Sequence, residues 1–199
     1  MLFNKSMKWD FPPEVVFSDN SKIEYLSETK LLGVIVSDNL KWHNNTLYIC
    51  QKARAKLWLL RRMVKLKLDI YKMFDVYCKE VRCMLELAVP VWHSGLTLKE
   101  TADIERIQKV AFRIILREQY ISYQQACSVL SSPTLEQRRE TLCLKFGRKN
   151  LKSDRPFFTK IKTRSLVQEY KCRTERLRRS DLPYLAELLI INKKHKARK

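Results

Sequence analysis

VRCMLELAVPVWHSGL at 81–96, followed by IERIQKVAFRII at 104–115, decides the fold of this chain. The first stretch is an apolar helix end that runs into a Pro-x-Trp-His turn. The second is an amphipathic helix carrying Arg and Lys, with Ile104, Ile107, Ala111 and Ile114 spaced to face inward. Together they predict two helices packed across a corner. Trp92 follows Pro90 in an apolar setting and is expected to plug that corner, a role worth roughly 3–5 kcal/mol if the ring is truncated. His93 has no triad or metal partner in the sequence, so the stretch supplies packing and no catalytic group.

Outward from this corner the same helical period continues. Leu47, Cys50, Ala53, Leu57, Leu60 and Val64 predict one helix over 44–66. Ile70, Met73, Phe74, Tyr77, Val81, Leu85 and Ala88 predict a second, stopped by Pro90. Thr97-x-x-Glu100 reads as a capping box opening the third helix, which is expected to reach about Glu118. Ser122-x-x-Gln125 opens a short fourth helix ending near Leu130. Ser132-Pro133-Thr134 precedes a fifth with Leu135, Leu142 and Phe146 inward.

Before residue 44 the pattern is that of β structure. Short β-branched or aromatic runs at 14–17 and 23–26 flank the turn formers Ser18, Asp19, Asn20 and Ser21, which predicts a hairpin. LLGVIV at 31–36 reads as one buried strand, in which Gly33 permits a bulge or a close backbone approach. Beyond 152 the chain is polar and basic, and only LPYLAELLII at 182–191 is dense in apolar residues. The expected fold is therefore mainly α: a small β element at 1–43, a helical bundle at 44–151, and a basic, partly disordered tail at 152–199.

Charge narrows the function. The chain carries 40 Lys+Arg against 21 Asp+Glu, a formal net charge of +19, and the excess is concentrated. Residues 30–68 hold 9 basic and 1 acidic group, and residues 140–199 hold 18 and 6, with near-neutral sequence between. Such blocks attract polyanions, nucleic acid first and an anionic membrane surface second, through counterion release that weakens with salt. No apolar run approaches the 18 or so residues of a membrane span. A nuclear or cytoplasmic location follows by default. The six cysteines form no Cys-x-x-Cys pair and are not spaced with His43, His93 or His195 as zinc ligands. They read as reduced core thiols, and neither a metal nor a cofactor is expected.

Catalytic motifs are missing. There is no phosphate-binding Gly loop, no Gly-x-Ser-x-Gly elbow, no His-Glu-x-x-His, and no adjacent Asp pair to hold two Mg²⁺ ions. Asp69, Asp75 and Glu80 are expected to be solvated. The first helix instead offers a binding surface. Arg54, Trp58, Arg61 and Lys65 fall at i, i+4, i+7 and i+11 on one stripe, with Arg62 beside it and Lys52 and Lys56 on another face. Cations there would contact phosphates, and an exposed Trp58 would pack on a sugar or base. A buried Trp58 with merely solvated cations is the alternative. KCRTERLRRS at 171–180 adds charge that could contact nucleic acid or stay solvated.

Several stretches in order resemble non-LTR (LINE-type, jockey-like) retrotransposon reverse transcriptases: KLLGVIVSDNLKW at 30–42, CMLELAVPVWHSGL at 83–96, IERIQKVAFRII at 104–115, TLEQRRETLCLKFGRK at 134–149 and RRSDLPYLAELL at 178–189. In that family a Leu-Gly strand and an Asp-x-Leu-x-Trp turn follow the palm. A helix ending Leu-Glu-Tyr-Ala-x-Pro-Val-Trp and an Ile-Glu-x-Ile-Gln-Lys helix come next. The resemblance implies a C-terminal fragment of an RNA-directed DNA polymerase that starts in the last palm strands, downstream of the paired aspartates. Leu32 and Gly33 would lie in a primer-grip-like element, and 44–150 would form a thumb holding template–primer RNA/DNA. Leu87 stands where the family has Tyr, Cys83 replaces a Pro, and NNTLYIC at 44–50 lacks an expected His. These departures imply drift. An independent basic helical interaction or scaffold protein, and a non-functional retroelement relic, are the other readings.

Overall fold

The computed structural model describes residues 26–152 and 170–196. Residues 14–25 of the expected hairpin and residues 153–169 of the basic tail lie outside the described residues.

The β element is a two-stranded antiparallel hairpin, β1 Glu28–Leu31 and β2 Val34–Ser37, with Leu31 paired to Val34 and Glu28 to Ser37. LLGVIV is therefore two strand ends and a turn, not one strand. Leu32 at φ 49° and Gly33 at φ 88° form the two-residue connection. Right-handed strand twist favours turns with positive φ at both central residues, and Gly33 supplies one of them without steric cost. Leu32 occupies the other and is 92% exposed. A lone hairpin is marginal in water. This one is seated on the next helix: Val34 and Ser37 are buried, and the Ile35 N–H donates to Asn45 Oδ1 at 3.1 Å.

Helix α1, His43–Lys65, buries Ile49, Cys50, Ala53, Leu57, Leu60 and Met63. It ends where Lys67 turns left-handed (φ 54°), with Lys67 N–H donating to Val64 O and Leu68 N–H to Met63 O, a Schellman closure. Asp69 caps α2, Ile70–Val76, by accepting from Tyr71 N–H at 2.9 Å. The helix then widens into a π turn, Tyr77–Arg82, and continues as α3, Cys83–Leu85. The cause is legible in the spacing. Buried Met73, Tyr77, Val81 and Leu85 recur every four residues. At 3.6 residues per turn that stride drifts about 40° per step, and a π turn, with its i→i+5 bonds, takes up the slack.

Pro90 does not stop this helix. The helix ends at Leu85, the chain turns through Ala88 at φ 50°, and Pro90 sits in the first turn of α4, Val89–Trp92. There its missing N–H has no intrahelical acceptor to lose. Trp92 is fully buried and donates its indole N–H to Leu87 O at 2.8 Å, so the corner plug is as expected.

A 3₁₀ turn, His93–Gly95, leads to α5, Leu98–Leu116, which opens with the expected capping box: Thr97 N–H to Glu100 Oε2 at 2.7 Å and Glu100 N–H to Thr97 Oγ1 at 3.2 Å. Ser122 opens α6, Tyr123–Val129, by accepting from Gln125 N–H. Helix α7 spans Leu135–Leu151. Its inward residues are Leu135, Arg139, Cys143, Gly147 and Leu151, while Leu142 is half-buried and Phe146 is 40% exposed. The expected placement of Phe146 is thus corrected. The four-residue stride rotates the buried line around α7 as it meets α5, then α4, then the C-terminal helix.

After α8, Glu175–Arg178, helix α9, Asp181–Lys196, returns to the bundle and buries Leu185, Ala186 and Leu189. The run at 182–191 contributes these three to the core while Leu182 and Ile191 stay exposed, and Leu189 sits against Gly147, where an added Cβ would lie 3.0 Å from its Cδ1. The molecule is mostly helical with a small antiparallel sheet ahead of the helices, as the sequence predicts.

Buried polar groups tie these helices together. Tyr77 donates to Gln108 Oε1 at 2.7 Å, and Gln108 Nε2 donates to Tyr123 Oη at 2.8 Å and Pro133 O at 3.1 Å. Tyr123 donates to Glu105, whose carboxylate also accepts from Leu135 N–H at 3.1 Å and Glu136 N–H at 3.3 Å. Thr134 Oγ1 takes Gln137 N–H, so the first three amides of α7 are all matched.

Candidate nucleic-acid interface

The α1 residues expected to bind are separated by the structure into two groups. Arg54, Trp58, Arg61, Arg62 and Lys65 are exposed on the side of α1 facing away from the core, with Trp58 at 55%. Trp58 is therefore not a core residue. Trp58, Arg61, Arg62, Lys65 and Leu66 line one shallow depression at the C-terminal end of the helix. None of the four cations on this face is paired with a carboxylate among the described residues. From Arg54 to Lys65 the stripe runs about 17 Å along the axis, at 1.5 Å per residue. That matches about five nucleotides of one strand at 3.4 Å each.

Lys52 and Lys56 point elsewhere. Lys56 Nζ is 3.0 Å from Glu80 Oε2, an ion pair set up by the π turn that carries Glu80. Lys52 Nζ lies 4.6 Å from the centroid of the Tyr48 ring. Asp69 and Asp75, expected to be solvated like Glu80, are also engaged: Asp69 as the α2 cap and Asp75 with Lys79 at 2.6 Å. Leu32 and Gly33 form the hairpin tip, where a Cβ on Gly33 would meet Leu87 Cδ2 at 3.1 Å. The hairpin docks at Asn45, roughly 30 Å along α1 from Lys65. Leu32 and Gly33 are thus not joined to the Trp58 depression. In 171–180, Arg178 pairs with Glu187 at 3.1 Å and Arg179 with Glu175 at 3.0 Å.

Two groups of polar residues escaped the sequence reading. One is the Glu105–Gln108–Tyr77–Tyr123 network, buried at Gln108 and Tyr77 and half-buried at the other two, whose signal was a Glu and a Gln one turn apart on an apolar helix face. The other surrounds His93. Arg139, fully buried on α7, donates from Nε to His93 Nδ1 at 3.4 Å, and its Nη1 and Nη2 have no hydrogen-bond partner among the described residues. Burial first, and Arg139 second, push the His93 pKa down to about 4. Ser94 donates to Asp181 Oδ1 at 3.0 Å, and burial raises the Asp181 pKa to about 6 against that bond. The Ser94–Asp181 bond and the edge contact of His93 with Tyr184 dock α9.

The expectation of core thiols holds at Cys50 and Cys143, where burial raises the pKa to about 11 and about 12. It is corrected elsewhere: Cys78, Cys127 and Cys172 are half-buried and Cys83 is exposed, because Cys78, Cys83 and Cys127 lie off the buried lines of their elements. Among the described residues no three His, Cys, Asp or Glu side chains are grouped to hold a metal. No described helix is long and apolar enough to cross a membrane. Comparison with protein-family models, with curated proteins and with solved structures finds no match to the chain.

Proposed function

We propose that this chain grips nucleic acid electrostatically, as the thumb-like C-terminal part of an RNA-directed DNA polymerase, holding template–primer without contributing catalytic aspartates. The observation that carries the reading is Trp58, exposed on a helix face among Arg54, Arg61, Arg62 and Lys65, all without carboxylate partners among the described residues. Cations on such a face bind phosphates, and an exposed indole adds stacking worth about 1–3 kcal/mol per base. The collinear motifs supply the polymerase origin. On this reading the purified chain incorporates no nucleotide in the presence of Mg²⁺, and incorporation would refute it.

The direct test replaces Arg54, Arg61 and Lys65 by Glu. Retention on a primer–template duplex should be lost at moderate salt. The slope of log K against log salt should flatten by about 2.7, at about 0.9 per phosphate contact. Unchanged binding would sink the proposal. A scaffold role is the second reading, supported by the exposed Leu26, Leu31 and Leu32 around the hairpin. A defined oligomer with no salt-dependent duplex binding would favour it.

A further inference from the structure

Tyr48, on α1, carries two ammonium groups. Lys30 Nζ, from β1 of the hairpin, lies 4.9 Å from the ring centroid, and Lys52 Nζ, one turn further along α1, lies 4.6 Å from it. Both lysines are exposed, Tyr48 is half-buried, and neither lysine has a carboxylate partner among the described residues. Two like charges gathered on one aromatic ring repel each other, and the ring quadrupole offsets only part of that cost. The arrangement has the makings of an anion site: two point-charge donors and a phenol O–H converging from two different elements. Hydrogen bonding and positive charge from the lysines, Lys30 first and Lys52 second, also hold the Tyr48 phenol below its ordinary pKa.

We infer that Lys30, Tyr48 and Lys52 form a seat for one backbone phosphate of nucleic acid, set apart from the Trp58 face and clamping the hairpin to α1 when filled. Lys56, one turn beyond Lys52, is held by Glu80 and takes no part. The seat lies partly in NNTLYIC, a segment where the chain departs from the family it resembles. The inference rests on the proposed nucleic-acid binding and adds Lys30 and Tyr48 to it. A phosphate here fixes register along the strand and carries no base information.

The test is K30Q/K52Q, two exposed positions, with retained far-UV circular dichroism as the folding check. If both lysines serve one phosphate, the salt slope on a primer–template duplex falls by about 0.9; two independently solvated contacts would lower it by about 1.8. A fall near 0.9 supports the seat, while no change or a fall near 1.8 overturns it. In parallel, the Tyr48 phenol is titrated by ¹³C-tyrosine NMR, with Y48F for assignment. Bound duplex should raise its pKa by neutralising the two lysines. A rise with inorganic phosphate but not with duplex overturns the nucleic-acid source. Wild-type protein that binds no duplex overturns the proposed function itself. Wild-type binding with an unmoved Tyr48 overturns the seat alone.

Discussion

Replacing Arg139 by Met should stabilise this protein, although Arg139 is among its largest fully buried side chains. The guanidinium makes one long bond, to His93 at 3.4 Å, and leaves Nη1 and Nη2 unmatched among the described residues. Burial lowers its pKa, and Glu105 and Glu136 offset that only in part. A buried donor left unmatched costs about 1–3 kcal/mol, and the retained bond contributes at most about 1 kcal/mol. Met has a comparable reach and no polar hydrogens, and hydrophobic repacking at conserved volume costs less than about 1.5 kcal/mol. With two such donors, less the bond and the repacking, the balance centres on a gain of about 1–2 kcal/mol, within the range seen when buried ionic groups give way to apolar ones. At about 2–4 °C per kcal/mol for a chain of this size, Tm should rise by several degrees. Urea denaturation at pH 7, followed by circular dichroism, should show a higher midpoint at unchanged m-value. His93, freed of the neighbouring positive charge, should titrate closer to its ordinary value. A loss of more than about 1 kcal/mol would refute the reasoning and show that the guanidinium is matched, for instance by buried water, and holds α7 in place.

The His93 and Asp181 pKa shifts give opposite pH dependences. His93 titrates near 4 when folded, against about 6.5 when unfolded, so between those values the unfolded chain holds the extra proton and acidification destabilises. Asp181 is raised from 3.8 to about 6, so between those values the folded state holds the extra proton and acidification stabilises. Together they nearly cancel. D181N should expose a fall in urea midpoint from pH 6.5 to 4.5, and H93Q a rise from pH 6 to 4.5; slopes of the same sign in both variants would contradict the assignment. Gly95→Ala places a Cβ 2.5 Å from Trp42 Cδ1 and 2.6 Å from its Nε1, and a buried indole cannot yield as a flexible chain end does. It should cost about 1–3 kcal/mol and alter tryptophan fluorescence; full stability with an unchanged spectrum would show that the corner has slack.

The sequence made the helices visible because their periodicity and caps are local. Thr97 with Glu100, Ser122 with Gln125, and Thr134 each fix a helix start within three residues, and each was legible. The misreadings came where one residue type supports two geometries. Pro90 both ends and begins helices, and only the left-handed Ala88 beside it decides. Gly33 inside LLGVIV is compatible with a bulge or a turn, and pairing between Leu31 and Val34 settles which. Phe146 and Leu142 fit a 3.6-residue stripe, but α7 meets three successive partners and its buried line advances by four. The α1 stripe was legible as a pattern. The exposure of Trp58 was not, because burial is set by what packs opposite. The Tyr48 cluster joins residues 18 positions apart through a hairpin fold-back, and no local pattern encodes that.

The carboxylate of Glu105 closes the first turn of a helix that begins thirty residues later in the chain. Nucleating a helix is costly because several dihedrals are fixed before hydrogen bonds are gained. Helix α7 has its own capping box at Thr134 and Gln137, and the acceptor on α5 adds a long-range tie at the two amides that the box leaves open. Parting of the two helices would break the bonds that Leu135 and Glu136 make to Glu105. Hydrogen exchange at a helix end usually reports fraying; here the docking of α7 on α5 also enters it. The start of α7 thereby reads out, at two backbone positions, whether α5 and α7 are docked.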